Sequence, residues 1–194
     1  MVKAWLVSLY RLLAKHKRYV TLGFIWVALL VLFTSEIKAF AILLVLGLAA
    51  TFSTFYKRVF QAPPVFELTT LTTVAVSVFY GPVIGAVYTL IVTITMEVAA
   101  QALDPFSITY IFPRMAIAFA APLLYANGAG VSLPVLGLLA SGIYNVLQQP
   151  VYWLLTDPEK RIKALYFSSL NIPLNWLIFK FLGVPLFEIL KTIA

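Results

Sequence analysis

Long apolar runs without charges, rather than short alternating stretches, dominate this sequence. Segments such as FIWVALLVLF at 24–33 and AILLVLGLAA at 41–50 contain no charged residue. Transmembrane barrels instead alternate apolar and polar residues over short strands. Because a helix satisfies its own backbone hydrogen bonds inside a membrane, these runs predict membrane-spanning helices.

The apolar runs are separated by short polar or glycine- and proline-containing breaks. They cover residues 19–33, 39–56, 68–80, 83–103, 108–125, 131–155 and 164–182. The first two fall short of the roughly 20 residues that cross a bilayer comfortably, so one of them is a candidate for an incomplete crossing. We therefore predict an all-α integral membrane protein with six to seven transmembrane helices, forming a single bundle over residues 19–194.

The breaks between the runs are predicted to be loops and turns. The segment TSEIK at 34–38 separates the first two runs, and proline-containing residues 61–67 follow the second. Gly81-Pro82 predicts a tight turn, with Gly85 and Ala86 allowing close helix approach just beyond it. Residues 126–130 form a glycine-rich turn, and the charged segment 156–163 is predicted to be a loop.

Residues 1–18 precede the first run and have a different pattern. Trp5, Leu6, Leu9, Leu12 and Leu13 fall on one helical face, with Arg11, Lys15 and Lys17 elsewhere on the helix. This predicts a basic amphipathic helix on the membrane surface, and the alternative is a docking helix for a partner protein. No small-residue cleavage site follows, so we expect this segment to be retained.

The composition agrees with a membrane protein and narrows its chemistry. The 194 residues are 62% hydrophobic and 11% charged, with a net charge of +7. That charge indicates contact with anionic membrane lipids rather than nucleic acid. The absence of cysteine and the single histidine exclude disulfides and argue against a metal site. The basic residues favour a multi-pass protein of the cell membrane with a cytoplasmic N-terminus and an external Gly81-Pro82 turn.

Two charges interrupt the apolar background between residues 83 and 125. Glu97 and Arg114 are each seven residues from the intervening turn at 104–107, about 10 Å along a helix on either side. An ion in hydrocarbon costs at least a few kcal/mol, so such charges face the protein interior and find partners. We predict that both side chains face inward and neutralise each other or a ligand.

Amide side chains form a second polar group in the last two runs. Asn145, Gln148, Gln149 and Tyr152 share one helical face, and Pro150 interrupts that helix locally. Asn171 and Asn175 are four residues apart around Pro173 in the final run. These groups either line a polar cavity or only hydrogen-bond between packed helices.

Hydroxyl groups mark a third polar stretch, in the run at 68–80. Two interpretations remain open for them: a hydroxyl face toward a solvated cavity, or hydroxyls bonded back to their own helix as structural filler. The residues concerned are Thr69, Thr70, Thr72, Thr73 and Ser77.

Three stretches carry a resemblance to a known family. FYGPVIGAVYTL at 79–90, DPFSITYIFPR at 104–114 and LNIPLNWLIFKFLG at 170–183 resemble the membrane-embedded substrate-binding subunits (S components) of energy-coupling-factor vitamin transporters. The similarity covers residues 68–182 and extends to the rod-shape protein MreD, which has a similar fold. It implies a compact bundle of about six helices that binds a vitamin-like solute and docks on a transmembrane coupling subunit with two ATPases.

The residues themselves favour binding over catalysis. No carboxylate pair, serine–histidine pair or phosphate-binding glycine loop is present, so we expect neither an enzyme nor a cofactor. The expected function is a solute-binding subunit of a small-molecule uptake transporter, energised by partner subunits. Its expected substrate-binding residues are Glu97, Arg114, Asn145, Gln148, Gln149, Tyr152, Asn171 and Asn175. The alternatives are a non-catalytic scaffold subunit, and a proton-linked carrier that uses Glu97.

Overall fold

The computed structural model describes residues 21, 22, 25, 34–56, 58, 65–101, 103, 107–126 and 131–194. Every regular element in these ranges is helical. The α-helices are α1 (Thr34–Ser53), α2 (Thr69–Tyr80), α3 (Pro82–Ala99), α4 (Ile108–Ala126), α5 (Leu133–Leu155), α6 (Pro158–Ile178) and α7 (Val184–Ile193), with a π-helical segment at Phe179–Gly183 between α6 and α7. The predicted surface helix at 1–18, most of the run at 19–33 and the turn at 127–130 lie outside the described residues.

Among the residues that the structure describes, three helices are long and apolar enough to cross a membrane. They are Thr34–Ser53, Pro82–Ala99 and Thr109–Ala126. The apolar helix α2 has only 12 residues, a rise of about 18 Å against a hydrocarbon core of about 30 Å. The protein is therefore a helical membrane protein, and α2 does not cross the core unaided.

The chain divides into two compact units, Met1–Ala41 and Ile42–Ala194. Of the first unit, the longest described stretch is the beginning of α1. The second unit contains the helices from α2 onward and has its main apolar core between α2, α4, α5, α6 and α7. A second cluster packs Leu46 and Ala50 of α1 against Val76, Tyr88 and Val92.

Helix α2 is the central element of the second unit. It contacts α3, α4, α5, α6 and α7, and every residue from Thr69 to Ser77 is buried. Gly81, with a φ of 96°, and Pro82 at the first turn of α3 make the predicted tight turn. Beyond it, a Cβ on Gly85 would lie 2.9 Å from Ser77 Cα, so glycine permits the close approach of α3 to α2 that the sequence predicts.

Two charged stretches predicted to interrupt helices are instead helical. TSEIK is the first turn of α1, with Glu36 near its N-terminus. The predicted loop at 156–163 shrinks to residues 156 and 157, because α6 begins at Pro158 and Glu159 accepts a 2.7 Å hydrogen bond from Lys163. Proline and an acid in the first turn both favour helix initiation, so the charge pattern of a helix start was mistaken for a loop.

The prolines in the last two long helices do not end them. Pro150 lies within α5, and Pro173 lies within α6. The regular α-helix is interrupted later, at the π-helical segment, and the chain continues helically through α7 to Ile193. The residues that follow the last predicted run at 164–182 are therefore helical as well. Phe187 and Leu190 of α7 are buried against the core.

Candidate functional site

A buried ion pair joins α4 to the segment that precedes α2. Arg114 is 2% exposed and Glu67 is 0% exposed. Arg114 Nη2 donates to Glu67 Oε2 at 2.5 Å, and the guanidinium carbon lies 4.9 Å from the centre of the Tyr144 ring on α5. Arg114 therefore faces inward as predicted, but it pairs with Glu67, which lies in the predicted loop at 61–67.

Glu67 lies just before the N-terminus of α2, where a negative charge is favoured by the helix dipole. Its second oxygen, Oε1, accepts a 3.1 Å hydrogen bond from Thr70 in the first turn of that helix. Both oxygens of this buried carboxylate thus have a partner. The sequence feature that could have indicated a buried Glu67 is its position directly before the apolar run at 68–80.

Glu97 is also buried, at 2% exposed, and lies close enough to Arg114 for a carboxylate there to favour the charged guanidinium. The helix that carries it ends at Ala99, and Gln101 follows with a positive φ of 54°. Glu97 is therefore in the last turn of α3, rather than about 10 Å from the end of that helix. The predicted equal spacing from the hairpin end was wrong because the helix stops before the apolar run does.

The amide residues lie along the contact between α5 and α6. Asn145 Nδ2 donates to Asn171 Oδ1 across that contact at 3.4 Å. Gln149 Nε2 donates to Ala164 O at 3.1 Å and to the hydroxyl of Ser168. Part of the predicted polar group therefore serves helix packing, one of the two interpretations left open.

The same residues also carry buried polar atoms for which the described part of the chain supplies no hydrogen-bond partner. In a folded protein such an atom costs about 1–3 kcal/mol unless water or a ligand satisfies it. The atoms on predicted site residues are Arg114 Nε and Nη1, Asn145 Oδ1, Gln148 Oε1, Gln149 Oε1, Asn171 Nδ2 and Asn175 Oδ1. Six of the eight predicted residues are in that group.

Most of these atoms are unambiguous as donors or acceptors, because the other end of each amide fixes its orientation. Asn145 Nδ2 donates to Ser141 O at 2.7 Å, and Asn175 Nδ2 donates to Asn171 O at 3.0 Å. A carbonyl oxygen requires the NH₂ group, so the free atoms of both side chains are oxygens. Asn171 Oδ1 accepts from Asn145, which leaves its nitrogen as a free donor.

The glutamines and Tyr152 on α5 differ in burial. Tyr152 and Gln149 are half-buried, whereas Gln148, one turn beyond Tyr144 on α5, is buried. Helix α5 takes part in two sets of contacts. One set joins Glu67, Arg114 and Tyr144, and the other joins Asn145 and Asn171. Tyr144 and Asn145 are adjacent in sequence and connect them.

The threonine and serine hydroxyls of α2 bond within the protein, whereas the hydroxyl of Tyr80 at the end of that helix is buried without a partner in the described chain. Thr72 and Ser77 donate to backbone oxygens of their own helix at 3.2 and 2.7 Å. Thr89 of α3 donates to Thr73 at 2.8 Å, and Thr69 contacts the sulfur of Met96 at 3.5 Å. Of the two interpretations, the structural one describes these residues.

The non-helical stretch that carries Glu67 is held to the end of α1. Tyr56 donates to Phe66 O at 3.0 Å and accepts from Phe66 N at 3.1 Å, while Ser53 accepts from Leu68 N at 3.0 Å. Burial raises the pKa of Tyr56 above its ordinary value. These bonds fix the backbone on both sides of Glu67 and so position its carboxylate.

Comparisons with known proteins add no assignment, since no family model, curated protein or solved structure matches the chain.

Proposed function

We propose that this protein is the membrane-embedded solute-binding subunit of a small-molecule uptake system in the cell membrane. The observation that carries the proposal is the buried guanidinium of Arg114, which has one nitrogen paired with Glu67 and two others, Nε and Nη1, without a partner in the described chain. Unsatisfied buried donors of this kind are expected where a ligand or ordered water completes the bonding.

The position of α2 supports the same proposal. A helix too short to cross the membrane, with a buried acid at its N-terminus, is typical of the broken helices that form solute sites in transporters. Non-helical backbone is tolerated at depth only when protein surrounds it or it lines a cavity. In the segment from Val65 to Leu68 the Glu67 side chain is fully buried, whereas Phe66 is exposed, so it is the buried carboxylate that supports the proposal.

The proposed mechanism is capture, with transport driven by other subunits. The substrate would bind between α4, α5 and α6, with Arg114 donating hydrogen bonds and Tyr144 presenting its ring. Energy would come from partner proteins, consistent with the proposed similarity to substrate-binding subunits that dock on a coupling subunit with two ATPases. In this account the chain itself is not an enzyme and crosses the membrane several times.

The test is thermal stabilisation of the purified protein by a panel of vitamins and cofactors. A ligand that binds the folded state raises the melting temperature, by an amount set by its concentration relative to Kd. We expect at least one compound to stabilise the wild type and to have no effect on Arg114→Met. If no compound stabilises the protein and no small molecule is retained after gentle purification, the proposal is contradicted.

A scaffold or assembly subunit is the second candidate, favoured by the bond from Gln149 to Ala164 O across α5 and α6. In that case the polar groups serve packing alone. Arg114→Met would then change stability or complex assembly with no effect on any ligand.

A further inference from the structure

The geometry points to an uncharged solute that presents a carbonyl oxygen beside N–H groups, an inference that rests on the proposed solute-binding function. It follows from the kinds of polar atom left over at the site and from the charge that surrounds them. Each of these observations limits a different property of the solute.

The first limit is set by charge. Arg114 is already compensated by the Glu67 carboxylate at 2.5 Å. The guanidinium therefore offers N–H donors without a net positive charge. A carboxylate or phosphate solute would add an anion beside the buried Glu67 carboxylate, and like charges repel strongly where water is excluded.

A cation is disfavoured by the same group. Arg114 lies over the Tyr144 ring, 4.9 Å from its centre, and occupies the aromatic face that would otherwise attract a positive solute. Its two remaining nitrogens are donors and require an acceptor. An ammonium group supplies no acceptor, so it would leave both nitrogens unsatisfied.

The second limit is set by hydrogen bonding. On the α5–α6 side, Asn145 and Asn175 each present a free oxygen, and each oxygen is fixed because the amide nitrogen of its side chain bonds a backbone carbonyl. These oxygens require donors, whereas Arg114 and Asn171 present free donors. A neutral amide, lactam or ureide group provides C=O and N–H together and satisfies both kinds.

The experiment compares three probes of nearly the same shape: benzamide, benzoate and benzamidinium. Binding to the wild type is followed by saturation-transfer NMR, with Asn145→Leu/Asn171→Leu as the site variant and Thr73→Val/Thr89→Val as the matched control. We expect a benzamide signal on the wild type and the threonine variant, reduced at least fivefold on the asparagine variant, and weaker signals from both charged probes.

The outcomes separate this inference from the function on which it rests. A stronger site-dependent signal from benzoate or benzamidinium overturns the uncharged class and leaves solute binding standing. If no probe binds, native mass spectrometry of the gently purified protein decides: a retained neutral amide supports the class, and a retained ion overturns it. No probe signal and no retained compound overturn both proposals.

Discussion

Helix α2 and the α5–α6 pair are both polar regions buried in an apolar protein, yet they satisfy their polar atoms differently. The threonine and serine hydroxyls of α2 bond to their own backbone or to a facing side chain, as in the 2.8 Å hydrogen bond that Thr89 of α3 donates to Thr73. The asparagines of α5 and α6 also pair at 3.4 Å, but Asn145 keeps a free oxygen and Asn171 a free nitrogen. Burial of polar groups is common to packing and to binding, whereas incomplete satisfaction points to binding.

The chemical reason lies in the number of bonds that each group can make. A threonine hydroxyl has one donor, which the carbonyl one turn earlier in the same helix can accept. An asparagine has two N–H donors and an acceptor oxygen, so one local hydrogen bond leaves other donors or acceptors without a partner. Amides on a buried face therefore require more partners than helix packing supplies.

The largest effect is expected from a substitution that breaks the ion pair between Glu67 and Arg114, which lies next to both regions. Glu67→Gln leaves Arg114 as a buried charge without its 2.5 Å partner, which should lower the free energy of unfolding by about 3–5 kcal/mol. Denaturant unfolding in detergent measures it. Glu159→Gln is the control, because that carboxylate pairs with Lys163 in solvent, and its loss should leave stability unchanged. Equal stability of the two variants would show that the buried pair is not structural.

The second largest effect is expected from removing the asparagine side chains between α5 and α6. Asn145→Leu/Asn171→Leu removes two atoms that lack partners and replaces both members of a 3.4 Å bond by apolar groups. The solute-free protein should be unchanged or more stable, by up to about 1–3 kcal/mol, while solute binding is lost. Thermal unfolding with and without ligand measures both. A loss of several kcal/mol in the solute-free state would mean that these amides serve structure.

A packing test applies to the α2 side. Gly85→Ala would place a Cβ 2.9 Å from Ser77 Cα, so α2 and α3 must separate. Overpacking of this kind costs about 1–3 kcal/mol. Gly142→Ala is the matched control, since nothing lies within 4 Å of a Cβ there. A Gly85→Ala protein as stable as the control would contradict the close approach of these helices.

The smallest effect concerns the satisfied hydroxyls. Thr73→Val/Thr89→Val removes one side-chain hydrogen bond of 2.8 Å, and a buried bond between membrane helices contributes about 0.6 kcal/mol. Stability should fall by no more than about 1 kcal/mol, and solute binding should persist. Loss of binding in this variant would place the hydroxyls in the site and remove the contrast with the amides.

Much of this arrangement is predictable from the sequence, and the failures have physical causes. Apolar runs and the Gly81-Pro82 turn predict helices α2 to α5 closely, and a lone Arg114 in an apolar run predicts burial. The ion-pair partner Glu67 is missed because it is distant in sequence and adjoins prolines that suggest a surface loop. The start of α6 is missed because the charges that favour a helix N-terminus also characterise loops.

The sequence does not predict which buried polar side chains have all their hydrogen-bond partners and which do not. Asn145 and Thr73 both carry polar groups in apolar runs, and only the positions of neighbouring helices decide which atoms find partners. The spacing of Asn171 and Asn175 predicts a shared face, but not that Asn175 bonds Asn171 O and leaves its own oxygen free.

The most direct test is native mass spectrometry of three proteins purified under the same gentle conditions: the wild type, Thr73→Val/Thr89→Val and Asn145→Leu/Asn171→Leu. The account predicts that the first two retain the same small-molecule adduct and that the asparagine variant, although folded, lacks it. An identical adduct on all three proteins, or no adduct on any of them, would contradict the claim that the unsatisfied atoms of α5 and α6 bind a solute.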